Sequence, residues 1–235
     1  MTVRAAALAL CALATAAAAD APTASQRPEP RAEAPAVISS PRPDARPPSI
    51  LRRAADALTG GRSTAPGSVC GDAAIRGVPI APIPGRISAC GLARPVSVTK
   101  VSGVRLSRPA TMDCPTARAL NTWVAASVRP ALDQVAGLEV AAHYTCRTRN
   151  NVAGAKVSEH GKGRAVDISG FRMADGSTVT VLDGWTDSRI GPALRRIHQG
   201  ACGPFGTVLG PDADRYHQDN LHLDTARYRS GSYCR

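Results

Sequence analysis

The sequence is poor in aromatic residues and in long apolar runs. Only 3% of its 235 residues are Phe, Trp or Tyr, which leaves few rings on which single-stranded nucleic acid could stack. No apolar run after the first twenty residues approaches the length of about 20 residues that a bilayer-spanning helix needs. No internal repeat is visible either. We therefore predict no nucleic-acid partner and no transmembrane segment in the mature chain.

The first residues have the features of a secretory leader. Arg4 precedes an apolar run that ends in the small residues Ala17, Ala18 and Ala19, a pattern typical of a cleaved signal peptide. We predict that residues 1–19 are removed and that the mature protein is exported to the periplasm or the extracellular space. The formal net charge of +11 favours an anionic polymer of the cell envelope as its partner.

The next segment differs sharply in composition from the remainder of the chain. Residues 20–66 are dominated by Pro, Ala, Arg and Ser, with too few large apolar side chains to form a core, so we predict a disordered linker. Residues 67–235 are long enough to enclose one hydrophobic core. We expect this part to be a single domain and the protein to be a monomer.

Six cysteines remain after the leader, an even number that predicts disulfides in an exported chain. No C-x-x-C pair occurs, which argues against a zinc site built from thiolates. The simplest arrangement closes three consecutive loops. It pairs Cys70 with Cys90, Cys114 with Cys146, and Cys202 with Cys234.

The apolar pattern predicts an α+β fold, with a small antiparallel sheet and flanking helices stabilised by disulfides. One helix should begin near Pro115 and stop at Gly137, and a second should cover residues 187–198. Alternation and turn signals predict the strands, at residues 96–101, 104–106, 138–144, 164–171, 178–182, 205–209 and 221–225.

The strongest chemical signal lies in the stretch SEHGKGRAVD. His160 and Asp167 are seven residues apart, and Gly161 and Gly163 between them allow the loop to fold back. His222 sits on the last predicted strand and can supply a third ligand. Nitrogen, oxygen and nitrogen donors suit Zn²⁺. The alternative is that His160 and Asp167 hydrogen-bond only to each other while His222 packs in the sheet.

These residues carry a resemblance to known families. Ser158, His160, Gly163, Ala165 and Asp167 match the pattern S-x-H-x-x-G-x-A-x-D of the zinc D-Ala-D-Ala peptidases, which are related to lysostaphin-type enzymes and the Hedgehog fold. The chain is more similar still to the bacterial extensin-like C-terminal domain family. That similarity rests on YTCR at 144–147, SEHGKGRAVDISGF at 158–171, ACGPFGTVLGP at 201–211, HQDNLHLD at 217–224 and the closing Tyr233-Cys234.

The resemblance to the zinc peptidases implies a fold and a function. It implies a Hedgehog-like or D-Ala-D-Ala-peptidase-like fold, with His160, Asp167 and His222 as the zinc ligands. It also implies that Arg147 binds substrate and stabilises the oxyanion. The expected activity is that of a zinc-dependent peptidase or amidase that acts on peptidoglycan peptides.

One position departs from the pattern of these relatives. Many carry H-x-H and use its first histidine near the metal, whereas this chain has Asn220-Leu221-His222, and an asparagine amide cannot serve as a base. Asp219 is our preferred substitute, and His217 is the alternative. The loss of that histidine leaves two rival functions open, a non-catalytic zinc-containing wall-binding module and a structural envelope protein.

Overall fold

A computed structural model describes residues 65–235 of the chain. The predicted signal peptide, and the linker up to residue 64, lie outside the described residues. Within residues 65–235, no helix combines the length and the apolar character that crossing a membrane would require.

The described chain contains twelve strands and four α-helices. The strands are β1 (Ser68–Val69), β2 (Asp72–Pro79), β3 (Ile83–Pro84), β4 (Gly91–Leu92), β5 (Val96–Val101), β6 (Val104–Met112), β7 (Val135–Ala142), β8 (Ala165–Met173), β9 (Thr178–Thr180), β10 (Thr207–Leu209), β11 (Leu221–Asp224) and β12 (Tyr233–Cys234). The helices are α1 (Cys114–Trp123), α2 (Arg129–Ala131), α3 (Val181–Gly184) and α4 (Gly191–Ala201). A π-helical turn (Val124–Val128) joins α1 to α2, and short 3₁₀ turns cover Arg149–Asn151 and Glu159–Lys162.

Ten strands form one sheet in the order β1-β2-β5-β6-β7-β8-β11-β10-β12, with β9 added beside β8. Strands β3 and β4 pair separately. The α+β class is confirmed, but the sheet is larger than predicted and it is mixed. The β6–β7 pair is parallel because α1 carries the chain across between them. The β10–β12 pair is also parallel, because the C-terminus returns beside β10.

Helices α1 and α4 cover one face of the sheet. Asp113 caps α1 by accepting a hydrogen bond from Thr116 N at 2.9 Å, and Pro115 stands in the first turn, where its missing N–H costs nothing. At the other end, Trp123 is completely buried. Its indole Nε1 donates to Ile197 O of α4 at 2.9 Å, so the two helices are fastened together over the core.

Strands β8 and β11 place apolar and polar side chains on opposite faces. They pair antiparallel, with Leu221 opposite Ile168 and Leu223 opposite Val166, and all four side chains are fully buried in the core. Because strand side chains alternate between faces, the next pair, His222 opposite Asp167, points to the face away from the core. The hydrophobic pattern of these two strands therefore positions the polar pair.

Three disulfides stabilise the domain, and two of them differ from the predicted pairing. Cys202–Cys234 is confirmed, but the structure pairs Cys70 with Cys114 and Cys90 with Cys146. The sheet brings β2, which follows Cys70, against α1, which begins at Cys114. Strand β4, which follows Cys90, packs on the 3₁₀ turn Glu159–Lys162, beside the segment that holds Cys146. Cysteines that follow one another in the sequence are therefore not the ones that meet in this part of the fold.

Candidate metal centre

A tight turn delivers His160 to the polar face of β8 and β11. Ser158 precedes the 3₁₀ turn Glu159–Lys162, and its hydroxyl accepts from His160 N at 3.4 Å. The turn ends at Gly163, which adopts a left-handed conformation (φ 64°), and a Cβ there would lie 2.3 Å from the side chain of Leu92. A side chain at this position would be strained and would also clash. This glycine therefore lets the turn close onto the sheet.

Three side chains converge where the turn meets the two strands. Nε2 of His160 lies 3.1 Å from Oδ2 of Asp167, and Nδ1 of His222 lies 2.8 Å from Oδ1 of Asp167. The two ring nitrogens are 3.2 Å apart. His160 is 1% exposed and Asp167 9%, so both are almost completely shielded from solvent, whereas His222 is half-buried.

The outward-facing nitrogen of each imidazole has an acceptor. Nδ1 of His160 donates to the backbone oxygen of His143 at 2.9 Å, and Nε2 of His222 donates to Oδ2 of Asp224 at 3.1 Å. In a neutral imidazole this arrangement leaves the other nitrogen with its lone pair. Both lone pairs then face Asp167. Histidines that bind metals usually have such outer partners.

The surroundings of the cluster lower the pKa of Asp167 and raise the pKa of His222. Burial alone would raise the pKa of Asp167, but hydrogen bonds from His160 and His222 and their charges outweigh it and lower the pKa well below its usual range. Burial alone would lower the pKa of His222, but hydrogen bonds to Asp167 and Asp224 and their charges raise it to about 9. Without a metal, hydrogen bonds to Asp167 hold the two imidazoles in place.

The donor set fits a tetrahedral zinc ion. Ligand bonds of about 2.0 to 2.2 Å imply ligand atoms about 3.3 to 3.6 Å apart in a tetrahedral site. The contacts of 2.8 to 3.2 Å among the three side chains are slightly shorter than that, so a small outward movement would admit the ion. Three protein ligands would leave a fourth position for water or substrate, as in catalytic zinc sites.

A cavity of about 280 Å³ opens above the three side chains. Arg147 and His217, two of the three predicted catalytic residues, line it together with Asn220. Asp219 does not line it, and its exposed carboxylate accepts a hydrogen bond from the neighbouring Asn220 side chain at 2.7 Å. The structure thus places Arg147 and His217 beside the three converging side chains and leaves Asp219 outside the cavity.

A hydrogen bond to Asp214 holds His217 beside the three candidate ligands. Its Nδ1 donates to Oδ1 of Asp214 at 2.8 Å, and its ring centre lies 5.6 Å from that of His222. Asp214 also accepts from Tyr216 N at 2.8 Å. Burial raises the pKa of Asp214, but its bonds with Tyr216 and His217 lower it on balance, so Asp214 stays ionised and fixes the orientation of the imidazole.

Two features of the cavity were not predicted from the sequence. Glu159, directly before His160, is 6% exposed and lines the cavity. Its Oε1 pairs with Lys162 at 2.5 Å, while its buried Oε2 has no hydrogen-bond partner among the described residues. The rim also carries three exposed tyrosines, Tyr216, Tyr228 and Tyr233. The position of Glu159 beside a predicted ligand was its only sequence signal.

Comparison with known proteins identifies the family. The family model for the extensin-like protein C-terminus matches residues 71–235, which is most of the chain and nearly all of the described structure. The protein belongs to this extensin-like family. The comparisons with curated proteins and with solved structures found no match.

Proposed function

We propose that this protein is an exported zinc-dependent peptidase or amidase that cleaves peptide amide bonds in peptidoglycan. We also propose that it shares its fold and metal geometry with the zinc D-Ala-D-Ala peptidases and related Hedgehog-fold proteins. One observation carries the proposal. His160, Asp167 and His222 present three ligand atoms within 4.8 Å of one another on the floor of a cavity, and each imidazole has the outer hydrogen bond typical of a metal ligand.

Zinc bound there would polarise the amide carbonyl and lower the pKa of a water molecule towards neutrality. A base must still take the proton of the attacking water. His217 supports this role better than Asp219, because it lines the cavity and is oriented through Nδ1 by Asp214. Its Nε2 is then the nitrogen that accepts the proton and later returns it to the leaving amine.

Arg147 can stabilise the negative charge that develops on the amide oxygen. It lines the cavity and directly follows Cys146, whose disulfide to Cys90 holds this part of the backbone. Among the described residues, its side chain makes one hydrogen bond, a long one of 3.5 Å from Nη1 to Thr148 O. Most of the guanidinium is therefore available to a substrate oxygen.

Two properties of the whole chain support action in the cell envelope. Three disulfides are typical of proteins that fold in an oxidising compartment. The net charge of +11 favours association with an anionic wall polymer.

The direct test is digestion of purified peptidoglycan with the zinc-loaded protein, followed by mass analysis of the soluble products. We expect new peptide fragments and new free amines, both abolished by chelation and restored by zinc. His160→Ala is the matched control, because it removes one predicted ligand. Equal release by wild type and His160→Ala would contradict the proposal.

A non-catalytic zinc-containing wall-binding module is the second candidate, and Asn220 is the observation that favours it. Asn220 lines the cavity at the position where similar zinc peptidases carry a histidine. Zinc binding without any peptide release from several wall preparations would support this function. Peptide release by Asn220→His, from a wild type that releases none, would support it further, because that result would show that a missing base limits an otherwise complete catalytic site.

A further inference from the structure

A second cavity adjoins the one above the metal cluster. It has a volume of about 780 Å³, against about 280 Å³ for the metal cavity. Tyr228 lines both, so the two cavities are neighbours at this residue. Pockets that hold a small ligand usually have about 300 to 1,000 Å³. The metal cavity alone is at the lower limit of that range, and most of the available space lies beyond Tyr228.

The charges of the second cavity favour an anion. Arg164 and Arg227 line it, and Asp113 is the one acid that does so. Oδ1 of Asp113 already caps α1 at 2.9 Å from Thr116 N, and its Oδ2 lies 3.9 Å from Nε of Arg164, beyond hydrogen-bond distance. Arg227 is exposed and makes no hydrogen bond or ion pair within residues 65–235. Both guanidinium groups can therefore donate hydrogen bonds to a carboxylate.

Most of the aromatic residues lie either in the core or at the cavity above the metal cluster. The Trp and Phe side chains are all buried. Three of the four tyrosines, Tyr216, Tyr228 and Tyr233, are instead 44–51% exposed, and all three line the metal cavity. An exposed tyrosine offers an apolar ring face together with a polar hydroxyl, which suits a binding surface. The hydroxyl of Tyr228 forms a hydrogen bond of 3.1 Å with Oγ1 of Thr207. This bond holds Tyr228 between the two cavities.

From this arrangement we infer that the second cavity is a substrate subsite for a peptide carboxylate. The inference rests on the proposed function and specifies its substrate. The substrate is a branched, cross-linked peptide pair whose scissile amide lies above the metal cluster. Its second strand crosses Tyr228 and places a carboxylate between Arg164 and Arg227. A single peptide stem fills only the metal cavity and lacks this contact.

Equilibrium binding tests the subsite without requiring hydrolysis. The ligands are a fluorescently labelled cross-linked peptide pair, the same pair with the carboxylates of its second strand amidated, and the single stem. They are titrated against the full mature chain, depleted of zinc to prevent cleavage and checked for folding by circular dichroism. Wild type should bind the cross-linked pair about tenfold more tightly than the amidated pair, the size expected for a charge-assisted contact.

Arg227→Ala should remove this preference and leave the affinity for the single stem unchanged within twofold. Arg227→Lys should restore part of it, because a lysine keeps the charge but loses the planar pair of donors. Arg229→Ala is the matched control, since Arg229 is exposed two residues further on and lines neither cavity. Hydrolysis by the zinc-loaded forms should show the same pattern in KM for the cross-linked pair.

Equal affinity of the wild-type protein for the charged and amidated pairs would overturn the inference. An equal loss of binding for all three ligands in Arg227→Ala would also overturn it, because a general loss indicates disturbed folding or a non-specific charge effect. Failure of the proposed function gives a different result. In that case no peptide is released by the zinc-loaded protein, whatever the binding preference measured without zinc.

Discussion

At the scale of single residues, the proposed metal centre depends on contacts outside its three candidate ligands. His160 and His222 each need their outer nitrogen to carry the proton, and His143 O and Asp224 fix it there. Of these two acceptors, only Asp224 can be removed by substitution, because the other is a backbone oxygen. Asp224 also ties the end of β11 to the following loop by accepting from Ala226 N at 2.8 Å.

Asp224→Ala should weaken zinc binding about 10-fold to 100-fold, the usual effect of losing an outer partner of a metal-bound histidine. Without the carboxylate, the imidazole of His222 is free to rotate and to change tautomer. A competition titration with a zinc-sensitive dye measures the affinity. Asp219→Ala is the control, because its carboxylate lies outside the cavity, and we expect it to bind zinc as wild type does. Equal affinities of all three proteins would contradict the role of Asp224.

His217→Gln should lower kcat by about 10²-fold to 10⁴-fold, the range typical for loss of a general base. Zinc affinity should change little, since His217 is not one of the three converging ligands. Asp219→Asn should reduce kcat far less. The reverse order, with Asp219→Asn the more damaging substitution, would make Asp219 the base and assign His217 to another role.

At the scale of elements, the 3₁₀ turn and strands β8 and β11 together form the site. The alternation of Leu221, His222 and Leu223 along a strand with one buried face puts His222 on the face away from the core. The spacing of His160 and Asp167 indicated a turn that folds back, and the structure has one. The second cavity could not be predicted, because it depends on how the loop after β11 packs against the turn before α1.

Gly163→Ala should destabilise the domain by about 1 to 3 kcal/mol and weaken zinc binding. Its left-handed conformation strains any side chain, and the added Cβ would also meet Leu92 at 2.3 Å. Gly176→Ala is the matched control, because Gly176 also has a positive φ (88°) but has nothing within 4 Å of the added Cβ. Urea denaturation measures the free energy of unfolding of both variants. A Gly163→Ala loss no larger than that of Gly176→Ala would show that the contact with Leu92 does not matter.

At the scale of the whole molecule, three disulfides join segments that lie 32 to 56 residues apart in the sequence. An even cysteine count predicted bridges correctly, but the order of cysteines along the chain did not predict the pairing of four of them. Their pairing depends on where β2 and β4 lie, and neither strand was predicted from the sequence. Of the three bridges, Cys90–Cys146 lies closest to the candidate site, since Gly161 lies against Cys90 Sγ and Arg147 follows Cys146.

Replacing Cys90 and Cys146 together by serine should lower the free energy of unfolding by about 2 to 4 kcal/mol, as expected for a bridge that closes a long loop. It should also raise KM, because Arg147 loses its fixed position. The comparison is the double replacement of Cys202 and Cys234, whose disulfide closes a shorter loop of 32 residues. We expect a similar loss of stability there with a smaller change in KM. An unchanged KM without Cys90–Cys146 would separate this bridge from the site.

The central claim is that His160, Asp167 and His222 bind one zinc ion. Its most direct test is the zinc content of the purified mature protein after dialysis against a weak chelator, measured by mass spectrometry for wild type and for His160→Ala. We predict one zinc per wild-type chain and close to none in the variant, with both proteins folded by circular dichroism. A wild-type protein that retains no zinc, or a His160→Ala protein that retains as much as wild type, would contradict the account.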